Sequence, residues 1–189
     1  MKTIWKAGNV LGPLPVVLVS VGDFKGIRNV LTIAWAGTIA SDPPMVSISV
    51  RKERYSYELL CKHKNFVINL TTKDLAFATD WCGVKSGRDF DKFKEMKLTP
   101  LAAAKVSAPL IKESPINIEC IVKDILHYGS HDMFCAEVVC VHADKKYISA
   151  NGAFDFIKTK PIAFLKGKYF ELGKFVGGFG FSVKKKKKG

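Results

Sequence analysis

The sequence predicts a mainly β protein, a β-barrel with a few helices. Three observations predict it. Apolar, β-branched runs of strand length recur along the chain, separated by turns that carry glycine and proline. Two stretches, 46–50 and 116–122, alternate apolar side chains with a period of two. Helical patterns are few, and they do not alternate with strands as a parallel βαβ sheet requires.

In chain order, residues 16–21 form the first apolar run, which ends in a hairpin-like connection at 22–26. Residues 29–36 return as the second strand, closed by Gly37. Pro43 and Pro44 launch a strand over 45–50, where Val46, Ile48 and Val50 face one side and Ser47 and Ser49 the other. The pattern turns helical over 54–63, with Leu59 and Leu60 on the buried side, and strand-like again over 66–70. Asp74 is a candidate cap for a helix reaching Cys82. A polar, loop-rich segment covers 83–91. Strands resume over 116–125 and 133–142; residues 154–157 start a short helix, and 162–165 and 169–170 close the chain as short strands.

With 189 residues, the length suits one domain, residues 1–180, followed by a basic tail over 181–189 that is expected to be disordered. A mean hydropathy of +0.08 is high for a soluble monomer, so apolar surface buried between subunits, and hence a homo-oligomer, is expected. No run approaches the ~18–20 apolar residues of a membrane span, and the N-terminus does not read as a secretory signal. The five cysteines (61, 82, 120, 135 and 140) are odd in number and contain no C-x-x-C pair. They read as reduced packing thiols in a cytoplasmic protein rather than as a disulfide or zinc framework. The net charge is +13; five of those charges are the lysine run 184–188, and the remaining +8 is spread along the chain. Without a basic stripe interleaved with aromatics, nucleic acid is not an expected partner. A positive field instead suits an anionic ligand and acidic protein partners.

Several chemistries lack their motifs. No G-x-G-x-x-G follows a strand, and the glycines at 177, 178 and 180 lack the Lys-Ser/Thr of a phosphate-binding P-loop. There is no G-x-S-x-G nucleophile elbow. His127 and His131 are four apart but flank a turn, Tyr128-Gly129-Ser130, and do not read as a metal pair. No catalytic residue and no metal ligand is assigned.

What remains is a set of segments in a fixed order. Residues 29–38, Asn-Val-Leu-Thr-Ile-Ala-Trp-Ala-Gly-Thr, are followed by Asp42-Pro43-Pro44 and then by 49–57, Ser-Val-Arg-Lys-Glu-Arg-Tyr-Ser-Tyr. A strand ending Asn69-Leu70 precedes a run from Cys82 through Ser86-Gly87-Arg88-Asp89 to Asp91-Lys92-Phe93. Gly129-Ser130-His131, Ala136-Glu137-Val138 and a terminal Tyr169-Phe170 with Leu172-Gly173 complete the set. Together, in register from residue 10 to residue 175, these segments resemble the signature of the flavin-reductase-like FMN-binding split barrels. The resemblance implies a Greek-key-like split barrel that holds FMN non-covalently. It also implies paired barrels, a homodimer, with each flavin near the subunit interface.

It further implies roles for named residues. The FMN phosphate, nearly dianionic above its second pKa of about 6, calls for cations and free N–H groups. Arg51, Arg54 and Ser56, following Ser49, sit where a strand hands over to a helix start. Asn29, Thr32, Ala34, Trp35 and Thr38 are the candidates to line the ring, with Trp35 as a flat apolar wall. The loop bearing Ser86 folds over the cofactor, and Lys92 reaches the flavin, where a cation raises its potential. His131 is ring-adjacent and Phe164 closes the site; in paired barrels these two are the candidates for residues belonging to the partner's half. The expected function is an electron carrier between redox partner proteins, the basic surface favouring acidic ones. The alternative is an NAD(P)H-dependent flavin oxidoreductase using the same site, which does not require a Rossmann motif in this family.

Overall fold

The computed structural model describes residues 1–183. From β1 (Leu14–Pro15) the chain passes directly into β2 (Val17–Gly22), which is buried at every position. Gly22 closes β2 at a φ of 94°, and a Cβ there would collide with the Ile27 carbonyl oxygen, so the hairpin into β3 (Arg28–Ile33) requires glycine. A second hairpin joins β4 (Ala36–Ser41) to β5 (Pro44–Val50). Helix α1 (Tyr55–His63) then crosses to β6 (Asn65–Leu70). A 3₁₀ turn at Lys73–Leu75 runs into α2 (Ala76–Val84), and α3 (Lys92–Glu95) follows the polar loop. Two short strands, β7 (Pro100–Leu101) and β8 (Leu110–Ile111), precede the long hairpin of β9 (Ile116–Tyr128) and β10 (His131–Ala143). The last strands are β11 (Ile162–Leu165) and β12 (Lys168–Glu171); β11 pairs with β1 on one side and β12 on the other.

The main sheet is antiparallel throughout, in the order β3-β2-β6-β9-β10-β5-β4. It curls into a barrel. One core cluster collects Val19 of β2, Leu31 of β3, Ile48 of β5, Phe66 of β6, Cys120 of β9 and Phe134 of β10. Strands far apart in hydrogen-bond order thus share one interior, plugged by Leu59 and Leu60 of α1. Near the seam the Ser49 N–H donates to the Trp35 carbonyl at 2.9 Å. The opposite face of β2 and β3 packs Leu18 and Val30 against Ala78 and Cys82 of α2 and Phe93 of α3. Burial on both faces explains why β2 reads as a continuous apolar run rather than an alternating one.

Three local expectations are corrected. The strand expected over 29–36 stops at Ile33; Ala34 and Trp35 form a bend, and the chain resumes as β4. The sheet must turn sharply here to bring its edge back towards β5, and tertiary curvature of this kind leaves no Gly or Pro marker. Asp74 does not cap a helix, since no side-chain bond closes the 3₁₀ turn before α2. Asp91 is the residue that caps, accepting the N–H groups of Phe93 and Lys94 at the start of α3. The short helix expected over 154–157 is displaced to a 3₁₀ turn at Ile157–Thr159, and Phe154 instead forms a bridge with Ile148.

All five cysteines are free thiols, with Cys82, Cys120 and Cys135 buried. Among the described residues no helix is long and apolar enough to cross a membrane. Of the expected tail, Phe181–Val183 form an exposed 3₁₀ turn, and the lysine run from 184 onwards lies outside the described residues.

Candidate functional site

A cleft of about 610 Å³ opens between the end of β3, the start of α1 and the segment from Cys82 to Lys92. It gathers Asn29, Thr32, Arg51, Arg54, Ser56, Ser86 and Lys92, together with Lys85, Tyr55 and Gly83. Sequence reasoning singled out the first seven. Lys85 carries no motif, and only its place in a polar loop hinted at it.

Local structure dictates the arrangement. α1 begins at Tyr55, and no side chain caps it, because Arg54 holds the capping position in extended conformation. The first N–H groups of the helix and the Arg54 guanidinium therefore face the same space. Asn29 is buried and donates from Nδ2 to the Ser56 Oγ at 2.8 Å, tying β3 to the helix start. The polar loop is latched from outside. Arg88 donates to the Glu53 carbonyl at 3.0 Å, pairs with Glu58 at 3.1 Å and lies over the Tyr55 ring. Arg54 donates to the Gly83 carbonyl at 3.2 Å, and Thr32 Oγ1 donates to the Thr79 carbonyl.

Gly87 packs its backbone on the Asn29 amide, where a Cβ would stand 2.7 Å from Nδ2. Gly87→Ala is therefore expected to push the loop off Asn29. Overpacking of this kind costs about 1–3 kcal/mol. A chemical melt that registers no loss would show the loop free to give way.

The cleft is cationic, with Arg51, Arg54, Lys85 and Lys92 set against Glu53 alone. Lys92 is the unusual member. It is 4% exposed, and its Nζ donates to the Cys82 carbonyl at 2.7 Å. Burial pushes the ammonium down to about 8; the neighbouring Cys82 opposes this and Arg54 adds to it. The Cys82 thiol, pushed up by burial to about 11, stays protonated at neutral pH.

A smaller lobe of about 180 Å³ continues from the same residues to Ala34, Trp35, Ser49 and His131. The rings of Trp35 and His131 lie 4.5 Å apart, inclined at 37°. Burial, followed by the charge of Arg51, holds the His131 imidazole below its ordinary range, so it is neutral at pH 7. Phe164 lines a third lobe with Thr32 and Ala34, its ring edge-on to Tyr169 at 5.5 Å. It also borders a chamber of about 790 Å³ against Trp35, walled by Val10, Leu11 and Leu14. Because Thr32, Ala34, Trp35 and Phe164 recur among these lobes, the four form one continuous groove along the sheet seam. Twelve of the thirteen residues proposed from sequence border it. Thr38 does not: it is exposed on β4 opposite Val46 and lines none of the four lobes.

The fold and this groove have counterparts among known proteins. The flavoredoxin of Desulfovibrio vulgaris superposes with a TM-score of 0.90 at 28% identity, covering 97% of this chain and all of that one. The flavoredoxin of Methanosarcina acetivorans gives 0.86 at 26% identity, with the same coverage. An uncharacterised protein of Pyrococcus abyssi is 33% identical over 111 residues, which are 59% of this chain and 63% of that protein. The family model described as the flavin reductase like domain matches residues 12–173, which take in every strand of the fold and the groove lining apart from residues 8–11. The chain belongs to the flavin-reductase-like domain family.

Proposed function

We propose that the groove holds one FMN and that the protein carries electrons through it between redox partner proteins. The observation that carries this reading is the juxtaposition of a four-cation wall at a helix start with the inclined Trp35–His131 pair. A phosphorylated planar heterocycle needs both, and the groove offers them end to end. Arg51, Arg54, Lys85 and the first N–H groups of α1 hold the phosphate. Trp35 supplies an apolar wall for the ring, and Lys92 places a positive charge where the reduced ring gains electron density. Bound FMN supplies reversible one- and two-electron chemistry. The likeness to two flavoredoxins supports the reading.

The flavin-binding part is tested by titrating flavin-free protein with FMN; a protein that stays colourless ends the proposal. Stacking on an aromatic side chain is worth about 1–3 kcal/mol. Trp35→Ala is therefore expected to raise the FMN Kd by roughly 5- to 150-fold. An unchanged Kd would remove Trp35 from the ring.

A second reading, NAD(P)H:flavin oxidoreductase, is favoured by the chamber beside Trp35, which has room for a nicotinamide. Anaerobic mixing with NADH or NADPH separates the two. Bleaching with repeated turnover on added flavin identifies the reductase, and failure to bleach identifies the carrier. The remaining positive charge fits acidic protein partners, whose electron transfer should slow as salt rises.

The proposal includes a homodimer. Trp5, Leu11, Phe175, Val176 and Phe179 project from the terminal segments, all of them mostly exposed. Large apolar side chains exposed in this number support a subunit contact. Sedimentation equilibrium should return twice 20.9 kDa. The free thiols fit a reducing compartment such as the cytoplasm.

A further inference from the structure

At the end of the β9–β10 hairpin away from the turn, three unlike donors converge. Cys140 stands opposite Glu119, beside an irregularity in the register between Val138 and Cys140. His142, two residues on, shares the Cys140 face. Glu119 is fully buried. Its Oε1 accepts the Ala104 N–H at 2.8 Å, and its Oε2 accepts the N–H groups of Lys105 at 2.6 Å and Val106 at 3.1 Å. His142 Nε2 lies 2.5 Å from Glu119 Oε1 and 3.5 Å from Cys140 Sγ. One donor atom from each residue lies within 4.8 Å of the other two. None of the three borders the flavin groove.

We propose that Glu119, Cys140 and His142 bind one divalent ion of the zinc class, with a fourth position open to solvent. Sulfur, imidazole nitrogen and carboxylate oxygen together suit zinc and cobalt(II) rather than magnesium or calcium. The spacing fits. A tetrahedral ion about 2.3 Å from sulfur and about 2.0 Å from nitrogen holds those atoms roughly 3.5 Å apart, the separation of Cys140 Sγ and His142 Nε2. The nitrogen and the Glu119 oxygen must part to about 3.3 Å, and the His142 side chain, 34% exposed, has the freedom to withdraw.

The carboxylate needs no reorientation. Its three backbone N–H donors form the outer shell that fixes a ligand's direction. Against burial, which pushes the other way, the Ala104 and Lys105 N–H groups and His142 hold the Glu119 carboxyl below its ordinary range. The hydrogen bond to Glu119 requires a proton on His142 Nε2. The ion takes that proton's place on Nε2, the imidazole ligand keeping its one proton on Nδ1, and binding releases the Cys140 thiol proton.

The test is isothermal titration of the full chain with zinc chloride in buffers of different ionisation enthalpy. It is paired with cobalt(II) difference spectra taken against the metal-free protein, which cancel any flavin bands. One ion per chain, release of the thiol proton and a thiolate-to-cobalt charge-transfer band are expected. Cys140→Ser should abolish the band and weaken zinc by at least about tenfold, while circular dichroism and flavin content stay unchanged. His142→Asn should weaken zinc similarly; if that variant fails to fold, Cys140→Ser decides alone. No stoichiometric binding, or a band that survives Cys140→Ser, overturns the proposal and leaves Glu119 as an anchor for the 104–106 loop only.

Discussion

Lys92→Met is expected to make the flavin-free protein more stable at neutral pH while weakening its hold on FMN. Lys92 is buried in the cleft wall, and its ammonium has fallen from the ordinary 10.5 to about 8. A group that binds its proton less well folded than unfolded destabilises the fold whenever it is charged. That cost is fully present below pH 8, shrinks as pH rises from 8 to 10.5, and is gone above. A fall of this size corresponds to roughly 3 kcal/mol. Urea unfolding of the flavin-free protein should therefore show stability rising between pH 8 and 10.5, and the methionine variant should lack that rise. Part of the variant's gain is offset because the Cys82 carbonyl loses its donor, at about 1 kcal/mol.

The flavin side has the opposite sign. An anionic ligand favours the charged lysine, so wild-type affinity should decline as pH climbs through 8, and the variant's should not. Losing the cation should also lower the flavin's midpoint potential, by about 59 mV for each tenfold of one-electron stabilisation lost. Equal pH profiles in the two proteins would show that Lys92 is solvated after all.

The joint replacement Arg51→Ala and Arg54→Ala should have the largest effect on the cofactor. Hydrogen bonds to charged groups contribute about 1.5–3 kcal/mol each. Loss of both guanidinium groups should raise the FMN Kd by roughly two to four orders of magnitude. The two side chains are mostly exposed, so the fold should survive. Riboflavin provides the control, since it carries the same ring without the phosphate. Its affinity should hardly move. Parallel losses for FMN and riboflavin would mean that the arginines shape the groove rather than hold the phosphate.

The strands were legible where one face, or both, is buried against something fixed. The run at 16–21 and the alternation at 116–122 announce β2 and β9 because packing selects those side chains directly. The bend at Ala34–Trp35 was not legible, because it is imposed by a seam whose other side lies some fifteen residues away at Ser49. The candidate site positions came from ordered motifs, and the groove assembles twelve of them. Thr38 was carried along by its neighbours in the same motif, but beyond Gly37 the strand runs out of the groove. The burial of Lys92 was invisible too. A lysine after an aspartate in a polar loop reads as solvated, and only the packing of α3 under α2 encloses it. Glu119, a single acid in an alternating strand, gave no sign of the backbone amides it gathers.

The two-sided enclosure of β2 divides the molecule by lability. Its amides lie between β3 and β6 with side chains packed above and below, so they should exchange with deuterium only when the whole barrel unravels. The loop at 85–91 is held by exposed arginine latches and should open far more often. A prosthetic group held in the groove would then leave or return through that door while the barrel stays folded, and its exchange need not expose the core.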